Sequence, residues 1–162
     1  MPMLCVAGTY RIVATEPDGD SIRFYPDDPA QWERVPGGRA VQTNATGGAQ
    51  IRLDGIDALE TYHSPRGSVP LHQPLALAHQ AADELLRWLG FPGVQRDGEE
   101  VTGATPDRLP GFLLTRGADL YGRCVALARR GDPPGRSGAQ VNVNLTLLRR
   151  TATSRSGSRS CG

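Results

Sequence analysis

Three separated segments of the sequence supply groups that can move protons, hold a cation or bind an anion. They are Asp-Gly-Asp-Ser at 18–21, Ile-Arg-Leu-Asp-Gly-Ile-Asp-Ala-Leu-Glu at 51–60 and Asp-Leu-Tyr-Gly-Arg at 119–123. Carboxylates bind hard cations and accept protons, and a guanidinium donates parallel hydrogen bonds to neighbouring oxygens of an anion. The second segment is the least ordinary, because two carboxylates spaced by three follow an arginine at the end of a predicted strand.

Each segment taken alone also has a purely structural explanation. The 18–21 segment is typical of a hairpin turn, because Asp-Gly is a favoured two-residue turn sequence. Arg52 and Asp57 also fit a surface ion pair of little energetic weight. The chemical interpretation therefore depends on the three segments acting together.

Together the segments resemble the signature of the thermonuclease (staphylococcal-nuclease-like) family. That signature has an Asp-Gly-Asp-Thr turn, an Arg-x-x-x-x-Asp-Thr-Pro-Glu strand end and a Tyr-Gly-Arg strand, and the resemblance covers residues 6–150. It implies roles for seven residues: Asp20, Asp57 and the Ala58 backbone carbonyl as metal ligands, Arg52, Glu60 and Arg123 as catalytic residues, and Tyr121 as a substrate-binding residue.

The implied chemistry is calcium-dependent hydrolysis of DNA and RNA at the bond to the 5′ oxygen, which leaves 3′-phosphates. Calcium prefers carboxylate and carbonyl oxygens, so a backbone ligand at Ala58 survives the replacement of the family's threonine. Glu60 is expected to accept the proton of the attacking water, and the two arginines to hold the phosphate. Tyr121 is expected to contact a substrate phosphate or base.

The elements that must position these groups follow from hydrophobic patterning. Strands are predicted at 6–16, 22–25, 50–56, 112–115 and 121–128, an amphipathic helix at 74–89, and a second, shorter helix at 140–150. Residues 26–48 and 91–110 are rich in Gly and Pro and are predicted to be loops. The fold class expected is all-β/α+β: a five-stranded OB-fold Greek-key barrel with two helices, without the third, C-terminal helix of the family.

Composition bounds the domain organisation but does not by itself indicate a nucleic-acid binder. The 162 residues carry 18 basic residues, all arginine, and 17 acidic ones, for a net charge of +1. Residues 1–150 are expected to form one nuclease domain, and the Ser/Arg-rich residues 151–162 a disordered tail. Three scattered cysteines indicate neither a disulfide framework nor a zinc site. A monomer without membrane association is expected, cytoplasmic because no signal peptide is recognisable, with secretion left open.

Two features depart from the family and keep other interpretations open. The loops after Tyr25 and Gly90 are longer than usual, and the chain ends in a Ser/Arg-rich stretch where the family continues into a packed helix. The alternatives are a noncatalytic OB-fold module that binds single-stranded nucleic acid, and a truncated, inactive remnant of the nuclease. Retention of the full set of acids and arginines favours the enzyme.

Overall fold

A barrel of five strands forms the centre of the molecule. The computed structural model describes residues 2–58 and 75–133, together with 135, 137, 138 and 140–142. In chain order the elements are β1 (Pro2–Arg11), β2 (Ser21–Pro26), a 3-10 helix (Pro29–Arg34), β3 (Ala49–Leu53), α1 (Leu75–Leu89), β4 (Gly93–Asp97), β5 (Glu100–Thr105), β6 (Arg108–Ala118), β7 (Cys124–Arg130) and β8 (Gln140–Asn142).

The barrel closes because β1 pairs on both of its edges. The strand order is β2-β3-β7-β6-β1, and the second half of β1 returns to β2. All of these pairings are antiparallel except that of β3 with β7, which is parallel. The expected five-stranded barrel of an α+β protein is thereby confirmed. The described residues also contain α1, which was predicted, and the 3-10 helix, which was not.

Alternating side chains fill the barrel interior. Along β3, Ile51 and Leu53 are buried while Gln50 and Arg52 face outwards, and β7 shows the same alternation from Cys124. The apolar face of α1 packs on the barrel with its buried leucines at 85, 86 and 89. Burying each such leucine contributes roughly 1.5 to 3 kcal/mol. This rigid core fixes the outward-facing side chains of β2, β3 and β7.

The loop predicted at 91–110 is wrong for most of its length. Strands β4 and β5 form a hairpin there, with Asp97 opposite Glu100 and Gly98 at a positive φ of 59°. Val101 is fully buried and exchanges backbone hydrogen bonds with residues 14 and 15. The segment was predicted to be a loop because it is rich in Gly, Pro and charged residues, although Asp-Gly at 97–98 is a favoured hairpin-turn sequence.

Other predicted boundaries also need correction. The tight hairpin at 18–20 is wrong, because residues 12–20 form a wide connection between β1 and β2. The predicted loop 26–48 contains the 3-10 helix. The helix predicted at 140–150 is wrong for residues 140–142, which form β8 because their amides pair with the start of β1. Residues 143–150 and the tail 151–162 lie outside the described residues.

The amphipathic helix predicted at 74–89 is confirmed as α1. No helix in the described part of the chain is both long and apolar enough to cross a membrane.

Candidate active site

Arg52 joins two of the predicted site carboxylates. It lies on the outer face of β3 opposite Ser21, the first residue of β2. Its Nη1 donates to Asp20 Oδ2 at 3.1 Å and its Nη2 donates to Asp57 Oδ1 at 2.9 Å. Three of the residues predicted from the sequence are therefore brought to one place.

The two carboxylates bound to Arg52 differ sharply in environment. Asp20 is 5% exposed, whereas the side chain of Asp57 is 88% exposed. Burial raises the pKa of Asp20, and the nearby charge of Asp18 raises it further. Arg52 and a hydrogen bond from the Ala58 backbone amide only partly oppose this shift of the pKa. Asp20 is thus an acid whose negative charge is incompletely compensated.

The backbone around Gly19 holds Asp20 in this position. The carbonyl of Asp20 accepts a hydrogen bond from Leu53 N at 2.8 Å, and its amide donates to Asp18 Oδ1 at 3.3 Å. A Cβ on Gly19 would lie 2.5 Å from the Ala58 Cβ and 2.8 Å from the Ala81 Cβ. Glycine is therefore required where the 18–20 turn passes between residue 58 and α1.

Arg123 is held by the turn that precedes β7. Its Nε donates to Asp119 Oδ2 at 2.7 Å, and its guanidinium lies 5.6 Å from the centre of the Tyr121 ring. The other oxygen of Asp119 accepts the backbone amides of Tyr121 and Arg123, both at 2.9 Å. These bonds hold the pKa of Asp119 below its usual value although burial opposes the shift. Among the described residues, Arg123 makes a side-chain hydrogen bond through Nε alone, so its terminal nitrogens can bind a further oxygen.

The two arginines share the outer face of the barrel. Arg52 is opposite Val125 in the parallel ladder, and Arg123 lies in the turn directly before β7. Asp119, the partner of Arg123, also acts on the pKa of Arg52, which indicates that the two arginines are near each other. Hydrogen bonding to Asp57 raises the pKa of Arg52, and the charges of Asp20, Asp57 and Asp119 add to this rise. Arg52 therefore stays cationic.

Two neighbouring depressions lie on this face. One, of about 330 Å³, is lined by Arg52, Asp57 and Val125, and the other, of about 230 Å³, by Arg23, Tyr121 and Arg123. A larger apolar cavity of about 420 Å³ lies beside them between α1 and the barrel. The polar depressions, rather than the larger apolar one, contain the groups suited to a phosphate.

The donor set suits a weakly held hard cation. Asp20 and Asp57 offer carboxylate oxygens, and the charge of Asp20 is incompletely compensated. Within the described ranges no three His, Cys, Asp or Glu residues are close enough to hold a metal by themselves. Calcium here would need main-chain oxygen and water to complete its shell.

Some predicted site residues stay predictions, and one useful residue was missed. Glu60 lies outside the described residues, and Ala58 contacts Asp20 through its backbone amide, so the role predicted for the Ala58 carbonyl stays a prediction. Asp119 received no role from the sequence, although it organises the Arg123 turn. Its spacing of four residues before an arginine was the available signal.

Comparison of the chain with family models, with curated proteins and with solved structures gives no match.

Proposed function

We propose that this chain is a calcium-dependent phosphodiesterase of the thermonuclease type that cleaves DNA and RNA and leaves 3′-phosphates. The observation that carries the proposal is the position of Arg52 between Asp20 and Asp57, whose side chains come from separate segments. The order and pairing of the five strands, with α1 between β3 and β6, support an OB-type barrel. On this interpretation the β4–β5 hairpin is an insertion.

In the proposed enzyme, Asp20 and Asp57 would hold calcium together with the Ala58 carbonyl. When bound there, calcium would supply positive charge that favours attack of water on the phosphate. Burial of Asp20 strengthens its interaction with a cation, because fewer water molecules compete for the carboxylate. The incompletely compensated charge of Asp20 supports this role.

The arginines would stabilise the phosphate as negative charge grows on its oxygens. Arg52 is already oriented by two carboxylates, and Arg123 by Asp119, so little side-chain reorganisation is needed when substrate binds. Glu60 would accept the proton of the attacking water, and Tyr121 would contact the substrate. The water oxygen would form the new bond to phosphorus as the bond from phosphorus to the 5′ oxygen breaks, and the departing oxygen would take a proton from solvent, which gives a 5′-hydroxyl strand and a 3′-phosphate strand.

A second candidate, a noncatalytic module for single strands, is favoured by one observation. Tyr121 is 73% exposed beside Arg123, and an exposed aromatic ring next to arginine is a stacking platform that needs no metal. The same observation is compatible with the enzyme. The acids around Arg52 distinguish the two, because binding alone does not require them.

The test is cleavage of labelled single-stranded DNA and RNA by the purified chain, with calcium and with EGTA. Calcium-dependent cleavage that falls about 100-fold or more in Arg123→Gln and in Glu60→Gln supports the enzyme. Arg87→Gln is the matched control, since this exposed arginine pairs with Glu84 on α1, away from the site. Binding without cleavage in calcium would support the module and refute the enzyme.

A further inference from the structure

The long loop before β3, residues 35–48 (the 35–48 loop), is attached to the turn that carries Tyr121. Gln42 N donates to the Gly122 carbonyl at 2.9 Å, and Arg39 Nη1 donates to the Leu120 carbonyl at 3.4 Å. Gly122 has a φ of +78°, and a Cβ there would lie 2.6 Å from the Gln42 Cγ. The loop is therefore packed closely against the Tyr121 turn.

Internal hydrogen bonds give the 35–48 loop a defined shape. Asn44 Oδ1 accepts from the amides of Thr46 and Gly48 at 3.1 and 2.8 Å, and its Nδ2 donates to the Tyr25 hydroxyl at 3.0 Å. The Trp32 indole donates to the Gly47 carbonyl at 2.9 Å. A loop ordered in this way can bind a ligand with a smaller loss of conformational entropy.

The loop presents an uncompensated positive charge next to an exposed ring. In the part of the chain that the structure describes, Arg39 has no carboxylate within 4.0 Å, whereas Arg52 and Arg123 both do. Leu120 and Tyr121 are 72% and 73% exposed. Because the net charge is only +1, this local excess does not follow from a generally basic surface.

Two depressions lie beside Arg39 and Tyr121. The depression of about 230 Å³ reaches from Gln42 and Tyr121 to Arg123. A second depression, of about 530 Å³, is lined by Arg39, Gly38 and the edge of Trp32. Its volume lies in the range of small-ligand sites. Tyr121 and Arg39 therefore each border a depression that could take part of a strand leaving the Arg123 site.

We propose that Arg39 and Tyr121 form an additional subsite for a single-stranded nucleic acid, one that binds a nucleotide flanking the cleaved linkage. The Arg39 guanidinium contacts a phosphate, and the Tyr121 ring stacks on a base. The inference deepens the proposed function, since it uses the same substrate class, but it requires only binding. Because the subsite binds a flanking nucleotide without reading its base, we expect the 35–48 loop to favour longer strands and not particular base sequences.

Fluorescence anisotropy in EGTA tests the subsite without cleavage, using labelled thymidine dinucleotide and dodecanucleotide over a range of salt concentrations. For Arg39→Gln we expect the preference for the dodecanucleotide to fall about fivefold and the log–log salt slope to lose about 0.7, the value for one phosphate contact on a single strand. Arg39→Lys should retain the slope, and the control Arg87→Gln should retain both the slope and the preference. Tyr121→Ala should weaken dodecanucleotide binding by about fivefold or more.

The outcomes separate this inference from the proposed function. Suppose that Arg39→Gln loses the length preference and that the wild-type chain does not cleave with calcium. This combination upholds the subsite and refutes the enzyme. Calcium-dependent cleavage together with an Arg39→Gln variant that matches Arg87→Gln at both lengths upholds the enzyme and overturns the subsite. Absence of measurable dodecanucleotide binding by the wild type also overturns the subsite.

Discussion

Replacing Arg52 with Gln should destabilise the protein by about 2 to 3 kcal/mol at pH 7. Two opposite charges 4 Å apart attract by about 4 kcal/mol at an effective dielectric constant of 20, and by about 1 kcal/mol in water. Asp20 is 5% exposed and the Arg52 side chain 28%, so their attraction lies between these limits. The exposed Asp57 adds little. Arg52→Gln therefore leaves a buried carboxylate beside Asp18 without its cation.

The penalty should depend on pH in a defined direction. Burial already raises the folded pKa of Asp20 above the ordinary 3.8, and loss of Arg52 raises this pKa further. A carboxyl with a raised folded pKa destabilises the protein as the pH rises above the unfolded pKa. The difference between the variant and the wild type should therefore grow with pH between the wild-type folded pKa of Asp20 and its higher folded pKa in the variant, stay constant above that window and vanish below it.

Urea unfolding followed by tryptophan emission, to which the buried Trp32 contributes, measures both effects. The double variant Asp20→Asn/Arg52→Gln should recover most of the loss at pH 7, because no buried charge remains. A penalty below about 0.5 kcal/mol, or one that stays constant from pH 7 to pH 3, would refute the argument from an undercompensated Asp20.

Three further substitutions test the packing and hydrogen bonds that support the site and the barrel. Gly19→Ala places a Cβ 2.5 Å from that of Ala58 and should lower the free energy of unfolding by about 1 to 3 kcal/mol, measured by urea unfolding; an unchanged midpoint would contradict the close approach. Asp119→Ala removes the carboxylate that holds Arg123 and should weaken single-strand binding or cleavage with little change in thermal stability. A loss of thermal stability as large as the loss of binding or cleavage would indicate a structural role. Tyr10→Phe removes the hydroxyl that donates to the Phe112 carbonyl and accepts from the Arg129 amide, and should destabilise the barrel by about 1 to 3 kcal/mol in thermal unfolding. A melting temperature equal to that of the wild type would contradict this expectation.

The barrel could be predicted largely because its strands alternate clearly between buried and exposed positions. β2 and β3 carry apolar residues at every second position, and α1 has a full apolar face after Pro74. The β4–β5 hairpin could not be predicted from this pattern, because most of its residues are exposed and Val101 alone is fully buried. The wide 12–20 connection was missed because its hydrogen bonds to Val101 link distant parts of the sequence.

The contacts of Arg52 show what local spacing can and cannot reveal. Its bond to Asp57 spans five residues and was foreseen as a surface ion pair, whereas its bond to Asp20 spans 32 residues and depends on the pairing of β2 with β3. The structural and the chemical interpretations of Arg52–Asp57 are therefore both compatible with the same geometry. The contact with Asp20 is the one that sequence spacing leaves undetermined.

Asp20 is the residue at which the structural and the chemical interpretations give different predictions. It is 5% exposed and lies beside the like charge of Asp18, and burial raises its pKa although Arg52 opposes the rise. Such a carboxylate lowers the stability of the isolated fold at neutral pH, and a bound cation would remove that penalty. If calcium raises the melting temperature of the wild type but not of Asp20→Asn, the buried acid is a cation ligand; equal shifts in both proteins would mean that Asp20 has only a structural place in the barrel.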